Sequence, residues 1–292
     1  MANPALIQAL RERARKRAQR AKQYTPPGHP HGAETRYRRA LLAYVRSIRV
    51  AVETHVIPII DRDGDGVADG SIPVGELGRA WARVRADIVS LEAESAAARM
   101  VEEVNAYTVT QLNRAYAGAI GVKPFSAGPV RARTDAPSSV ESELAEALFY
   151  NVRLIRTIAP TLLDQVQETV GEGYRAGLRV EDLSKQIAER FGVAESRANL
   201  IARDQTGKLN AKLTETRNRE VGATRYVWQI SGSPEGDGRV RDMHAELDGQ
   251  TFRYDDPPVT NLQGDRNNPG EDYQCRCSAL PVLEDVLEAL GI

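Results

Sequence analysis

The sequence predicts a mainly α-helical protein that ends in a small α+β domain. Its composition is 41% hydrophobic and 27% charged, which is ordinary for a globular protein, and abundant alanine, arginine, glutamate and leucine favour helix. Apolar residues recur at helical spacing through most of the chain, whereas an alternating strand pattern follows after residue 224. We therefore expect an N-terminal helical region, a helical bundle and then a short-stranded module.

The length of 292 residues allows one large or two modest domains, each with its own core. We divide the chain into a basic arm at 1–34, a helical domain at 35–117, a linker at 118–137 and a C-terminal domain at 138–292. The linker is predicted from its prolines and glycines, which interrupt regular structure. The longest apolar run, Val56 to Ile60, is far shorter than the roughly 20 residues that span a bilayer, so no membrane partner is expected.

The N-terminal arm has a strong excess of positive charge, although the net charge of the chain is −1. A basic segment of this kind can neutralise nucleic-acid phosphates and release their counterions, or it can dock on an acidic protein surface. The alternative is a solvated tail, which is how most charge runs behave. The candidate residues for binding DNA or a protein partner are Arg11, Arg13, Arg15, Lys16, Arg17, Arg20 and Lys22.

The helical domain contains a segment with the pattern of an EF-hand calcium loop. Within residues 61–72, acidic side chains stand at positions 1, 3, 5 and 9, and Gly66 stands at position 6, where such loops turn sharply. Ile72 replaces the bidentate glutamate of position 12, so the match is incomplete. The alternative is a polar turn whose carboxylates face water. The candidate calcium ligands are Asp61, Asp63, Asp65, Val67 and Asp69.

Helical spacing continues on both sides of this loop and into the C-terminal domain. Between Val74 and Tyr116 it predicts one long helix or two, with any break near alanines 96–98. Gly192 is expected to separate two further helices, because glycine commonly ends a helix. Four helices are predicted after the linker. The first follows Ser138, and the others run from Pro160 to about Arg175, from Glu181 to Phe191 and from Ala194 to about Val221.

After residue 224 the pattern changes to short strands and turns. Tyr226, Trp228 and Ile230 alternate with less apolar residues, which predicts a strand with one buried aromatic face. The further expected elements are a loop at 231–238, one or two helical turns ending at Gly249, a second strand at 250–254 and a loop at 255–270.

Both cysteines and a nearby histidine have the character of metal ligands. The spacing of Cys275 and Cys277 places both sulfurs on one side of an extended backbone, and cysteines this close do not readily form a disulfide. Zinc prefers thiolate and imidazole, so His244 is the expected third ligand. The fourth is expected from Asp272, Glu271 or Asp242, of which Asp272 is favoured. The alternative is two small buried thiols beside a histidine.

The order of these residues resembles the C-terminal domain of phage head morphogenesis proteins, the Mu protein F-like minor head proteins. The residues that carry the resemblance are Trp228, Arg239-Val-Arg241, His244, Leu247-Asp-Gly249, Asp255-Asp-Pro-Pro258, Pro269-Gly-Glu-Asp272, Cys275-Arg-Cys277 and Pro281, with the preceding segments Ala202 to Gln205 and Leu209 to Leu213. The resemblance covers roughly residues 140 to 285. Some family members carry a histidine where this chain has Asp272, and a carboxylate can replace imidazole on zinc.

The resemblance implies a structural part of the virion, present in few copies near the capsid and portal and needed for head assembly. The implied partners are the portal protein, the major capsid or scaffold protein and, in some members, packaged DNA. The implied location is the virion capsid, after assembly in the host cytoplasm, where reducing conditions suit cysteines used as ligands. The resemblance does not imply catalysis, and the C-terminal domain is expected to be supported by zinc.

Two other functions remain as alternatives. One is a metal-dependent nuclease or toxin-like enzyme domain built on His244 with Asp237, Asp242 and Glu246. No histidine follows residue 55 except His244, and this disfavours a nuclease because such enzymes need a base in addition to the metal ligands. The other alternative is a DNA-binding module that acts through the basic arm alone.

Overall fold

The computed structural model describes residues 24–61, 73–88, 93–125, 139–231, 241–289 and 291. Its helices are α1 (His31–His55), α2 (Ile57–Ile60), α3 (Val74–Asp87), α4 (Ala93–Ala119), α5 (Ser139–Arg156), α6 (Ile158–Ala176), α7 (Val180–Glu220), α8 (Asp242–Glu246) and α9 (Leu283–Ala289). Its strands are β1 (Arg225–Gln229), β2 (Thr251–Arg253) and β3 (Ser278–Pro281). The protein is thus mostly helical with a small sheet near the C-terminus, as the sequence predicted. No helix among the described residues is long and apolar enough to cross a membrane.

The chain forms two compact units, each assembled from separate stretches of sequence. The first unit comprises Met1–Ala33, Met100–Ala147 and Asp204–Ile292, and it contains the sheet. The second unit comprises Glu34–Arg99 and Leu148–Arg203, and it contains α3 and α6.

The second unit is built around the apolar face of α1. Leu41, Val45 and Ile48 are fully buried at helical spacing, as expected for an amphipathic helix in the predicted helical domain. Arg49 lies over the Phe191 ring, 5.2 Å from its centroid, and pairs with Glu195 at 3.4 Å. Part of the positive charge near the N-terminus therefore holds helices together within this unit.

Two helix boundaries differ from the predictions. The predicted stop at Gly192 is wrong, because α7 continues from Val180 to Glu220 without a break. A glycine inside a helix costs only about 1 kcal/mol relative to alanine, and burial of Phe191 and Ala198 on either side of Gly192 outweighs that cost. Between Val74 and Tyr116 the chain forms two helices, one of the two predicted alternatives, but α3 ends at Asp87 and α4 begins at Ala93, so the buried Ala96 and Ala97 lie inside α4 and not at the predicted junction.

The first unit contains an antiparallel sheet in the order β2-β1-β3. Tyr226 pairs with Phe252 of β2, and Trp228 pairs with Ala279 of β3. Tyr226 and Trp228 are buried while their neighbours are less so, which confirms the predicted strand and its aromatic face. β2 lies within the second predicted strand, whereas β3 was not predicted.

Polar side chains join α4 and α7 inside the first unit. The Thr108 hydroxyl donates a hydrogen bond to Asn210 Oδ1 at 3.0 Å, and the Tyr116 hydroxyl donates to Asn218 Oδ1 at 3.0 Å. One turn from these contacts, the buried Arg217 donates to Asn105 Oδ1. Burial lowers the pKa of Arg217 to about 10. These specific contacts fix the register of the two helices on which the sheet rests.

Candidate metal centre

His244, Cys275 and Cys277 converge in the first unit. The Nδ1 atom of His244 lies 3.5 Å from Cys275 Sγ and 3.6 Å from Cys277 Sγ. One ligand atom from each of the three residues lies within 4.8 Å of the other two. The structure therefore brings together three of the four predicted zinc ligands from positions more than 30 residues apart in sequence.

The separations of these atoms match a tetrahedral zinc site. With zinc–sulfur bonds of about 2.3 Å and zinc–nitrogen bonds of about 2.05 Å, tetrahedral angles place sulfur and nitrogen about 3.6 Å apart. The observed distances of 3.5 and 3.6 Å need no rearrangement to meet this value. The donor set, two sulfurs and one imidazole nitrogen, is also the type that zinc prefers.

Short elements with buried anchors hold the three ligands in place. His244 lies in α8 and is only 2% exposed, and its ring packs edge to face on Trp228 of β1 with centroids 5.4 Å apart. The two cysteines immediately precede β3, and Cys277 is buried while Cys275 is half-buried. The Cys277 backbone N–H donates to Cys275 Sγ at 3.4 Å, a contact that stabilises a thiolate.

The two thiols titrate as a pair. The hydrogen bond between them lowers the pKa of the Cys275 thiol well below its ordinary value, and it raises the pKa of Cys277. Burial disfavours the charged form of His244, but its hydrogen bond to Cys275 and the charge of that sulfur raise its pKa overall. The lowered pKa favours the thiolate form of Cys275, and Cys277 would have to lose its proton to bind a cation.

Asp272 lies on the opposite side of the imidazole from the two sulfurs. Its Oδ2 atom is 3.4 Å from His244 Nε2, an ion-pair contact without the geometry of a hydrogen bond, and His244 Nε2 is buried. The same oxygen accepts a hydrogen bond from Arg241 Nη1 at 3.1 Å. This position suits a carboxylate that fixes the orientation of a metal-bound histidine better than it suits a direct ligand.

The other acidic residues considered as ligands lie elsewhere. Glu271 accepts the Asn268 backbone N–H at 2.7 Å and pairs with Lys212 at 3.6 Å. Asp242 and Glu246 are exposed on α8, and Asp237 is outside the described residues. Within the described part of the chain, the convergent donor set is therefore His244 with the two cysteines.

Helix α7 supports the cysteine loop, which we define as residues 268–277. Buried Asp204 of α7 accepts the Gln274 backbone N–H at 2.8 Å. Gly270 has a φ of +91°, and a Cβ atom added there would lie 2.4 Å from the Cβ of Ala211, so α7 approaches the loop closely. Sequence reasoning missed Asp204 as part of the site; its only signal was its place in the segment that resembles the family helix.

Two predicted sites cannot be placed. The calcium-loop residues Asp63, Asp65, Val67 and Asp69 lie outside the described residues, and Asp61 caps the end of α2. The basic-arm residues also lie outside the described part of the chain, namely Arg11, Arg13, Arg15, Lys16, Arg17, Arg20 and Lys22. Both sites stay predictions.

Comparison with known proteins covers the part of the chain that carries the candidate metal ligands. Residues 164–280 match the family described as Phage Mu protein F like protein. This part of the chain is similar to the Mu protein F-like family. The resemblance predicted from the sequence is therefore confirmed, and the match includes α7, His244 and both cysteines.

An uncharacterized protein of Haemophilus influenzae is 44% identical to the chain over 135 residues. The alignment covers 46% of this chain but only 28% of that relative, so the chain spans little more than a quarter of the relative's length. No solved structure matches.

Proposed function

We propose that the chain is a minor structural protein of a tailed-phage head and that it acts during head assembly. The observation that carries this proposal is the match of residues 164–280 to the Mu protein F-like family. The mostly helical architecture and the buried donor set are consistent with a structural role. Portal, major capsid or scaffold protein are the proposed partners, and the head is the proposed location.

The surface of the second unit offers a feature suited to protein contacts. Phe149 is 65% exposed and Tyr150 is 48% exposed on α5, and the Arg153 guanidinium lies over the Phe149 ring at 5.8 Å. Exposed aromatic residues and arginine are enriched in protein interfaces. This surface supports the proposal that the protein binds other head proteins.

Quantitative mass spectrometry of purified empty heads and mature virions tests the head role. We expect a small, fixed number of copies per particle in both. Presence only in empty heads would indicate a role confined to assembly, which the proposal allows. Absence from both types of particle would contradict the proposal.

We further propose that His244, Cys275 and Cys277 bind structural zinc. Zinc supplies a cross-link when bound, and the residues that it would join are the centre of α8 and the chain that enters β3. His244 is 2% exposed and Cys277 is 8% exposed, and such burial suits a structural site better than one that must admit substrate. Asp272 would orient the imidazole through its second nitrogen.

Metal analysis of the purified chain tests the zinc proposal. We expect one zinc per chain, and loss of that zinc in the double variant Cys275→Ser/Cys277→Ser. The melting temperature of the double variant should fall, because structural zinc contributes folding free energy directly. Ser278→Ala, a change in the next residue, is the matched control and should retain the metal. A metal-free wild-type protein with an unchanged melting curve on zinc addition would refute the proposal.

The nuclease alternative is tested with the same protein. A catalytic site around His244 would cleave DNA in the presence of divalent cations, and His244→Ala would abolish that cleavage. We expect no cleavage by the wild-type chain. Cleavage that depends on His244 would replace the structural interpretation with an enzymatic one.

A further inference from the structure

The residue before the first cysteine has an unusual backbone conformation. Gln274 has a φ of +52°, and among the described residues it is the one non-glycine with a positive φ. A side chain makes this left-handed region unfavourable by about 1–2 kcal/mol, so surrounding contacts must hold it. The conformation closes a turn in which the Cys275 backbone N–H donates to the Asp272 carbonyl at 3.0 Å. It therefore sets the direction in which the Cys275 side chain leaves the backbone.

A buried carboxylate on α7 holds this residue. Asp204 is 7% exposed, and its Oδ1 atom accepts the Gln274 N–H at 2.8 Å from a position 70 residues earlier in the chain. Its Oδ2 atom pairs with Lys208 Nζ at 3.0 Å and accepts from Gln205 Nε2 at 3.1 Å. One oxygen of the carboxylate thus binds the cysteine loop, while the other contacts side chains of α7 itself.

The charges at this contact are balanced. A charged acceptor makes a stronger hydrogen bond to a backbone N–H than a neutral one does. The ion pair with Lys208, whose side chain is 38% exposed, contributes at most about 1 kcal/mol, so the contact with Gln274 does not depend on it.

We propose that Asp204 is a positioning residue of the metal centre. By holding Gln274 in the left-handed conformation, it directs the Cys275 sulfur toward His244 before a metal binds. This inference rests on the proposed zinc site. It assigns to α7, which carries no ligand itself, the role of organising the ligand loop.

Zinc affinity of the full chain, measured by competition with a chromophoric chelator, tests this role. We expect Asp204→Ala to weaken zinc binding by roughly 10- to 100-fold, as for other residues that orient metal ligands. Lys208→Ala is the matched control, since it removes the ion pair but leaves the Gln274 contact, and its affinity should stay within about threefold of wild type. Cobalt substitution should show weaker thiolate-to-metal absorption for Asp204→Ala than for Lys208→Ala.

A second substitution separates positioning from general stability. Glycine adopts the left-handed conformation without an anchor, so Gln274→Gly in the Asp204→Ala background should restore most of the lost affinity. If Asp204→Ala does not fold, Gln274→Val and Gln274→Gly carry the test in the wild-type background. Valine disfavours the left-handed region, so it should weaken zinc binding while glycine preserves it.

The outcomes distinguish the two proposals. If the wild-type chain binds no zinc, the proposed metal centre itself is refuted. A wild-type chain that binds zinc, with Asp204→Ala equal to it, overturns the positioning role alone. Weakened binding that Gln274→Gly fails to restore also overturns that role, because the loss would then come from general destabilisation.

Discussion

Replacing Asp285 by alanine should destabilise the first unit by about 2 kcal/mol at neutral pH. Asp285 lies in α9, and its Oδ2 atom accepts hydrogen bonds from Thr224 N at 3.1 Å, Thr224 Oγ1 at 2.6 Å and Arg225 N at 2.9 Å. Its Oδ1 atom accepts from Arg225 Nε at 3.2 Å and Nη2 at 2.5 Å. This single carboxylate therefore connects α9 to Thr224 and Arg225, where β1 begins.

Two lines of reasoning from the same contacts give the magnitude of this destabilisation. Two backbone N–H groups lose a charged acceptor, at about 1 kcal/mol each after water replaces it, and the ion pair with the exposed Arg225 adds little. The contacts from Arg225 and Thr224 lower the pKa of Asp285 from 3.8 to about 2. That shift corresponds to at most about 2.4 kcal/mol, and solvent screening at the 47% exposed Arg225 side chain reduces it to about 1–2 kcal/mol.

The same pKa shift determines how the contribution of Asp285 to stability depends on pH. The folded-state pKa of Asp285 lies below its unfolded value, so its contribution is fully present above about pH 4 and is lost as pH falls toward 2. The stability difference between wild type and Asp285→Ala should therefore shrink between pH 4 and pH 2. Titration of other carboxylates cancels in this difference when they do not contact Asp285.

Urea denaturation followed by tryptophan fluorescence measures this difference. Trp81 belongs to the second unit and Trp228 to the first, so a Trp81→Phe background reports on the first unit alone. Glu288→Ala changes an exposed carboxylate of the same helix and should alter stability by less than about 0.5 kcal/mol. A loss below about 0.5 kcal/mol for Asp285→Ala at pH 7, or a loss that does not change with pH, would refute the reasoning.

Three further predictions concern other parts of the chain. Asn105→Leu should lower the free energy of unfolding by about 3 kcal/mol, because it leaves the buried Arg217 guanidinium unpaired. In chemical denaturation, Asn105→Leu/Arg217→Met should recover most of that loss. A double variant no more stable than the single one would contradict this. Deletion of residues 1–22 should reduce the salt dependence of duplex DNA binding, and an unchanged slope of log K against log salt would discard the arm as a phosphate contact. Calcium at millimolar concentration should raise the melting temperature of wild type but not of Asp63→Asn/Asp65→Asn, and equal responses would reject the predicted loop.

The sequence predicted elements whose pattern is local. Alternation of Tyr226 and Trp228 was sufficient for β1, because one buried face of a strand imposes a period of two. The two cysteines and His244 suggested a metal site because zinc prefers thiolate and imidazole, and the structure brings these three side chains together. Zinc was inferred from its preference for thiolate and imidazole, and this preference does not depend on the fold.

Features set by distant contacts were not predictable in the same way. Gly192 looks like a helix end in isolation, and only the packing of its neighbours shows that α7 continues. β3 is four residues long and includes Pro281, so its strand character comes from pairing with β1 and not from its own composition. The contact of Asp204 with Gln274 joins residues 70 positions apart, and no spacing rule connects them.

The proposed metal centre and Asp285 should be energetically coupled, because they lie at opposite ends of the same short strand. Cys277 directly precedes β3, and Asp285 follows it by four residues. Strands of five, three and four residues form a sheet too small to persist without such attachments. Once β3 has detached, weakening the other attachment removes no further contact of this strand. The combined loss of stability should therefore be smaller than the sum of the two single losses. In a double-mutant cycle, Cys277→Ser with Asp285→Ala should therefore cost at least about 0.5 kcal/mol less than the sum of the two single changes. The hydrogen-exchange rates of the β1 amides should likewise rise in the double variant by less than the two single effects combined. Additive losses would mean that each attachment stabilises its own helix, α8 or α9, and that neither acts through the strand between them.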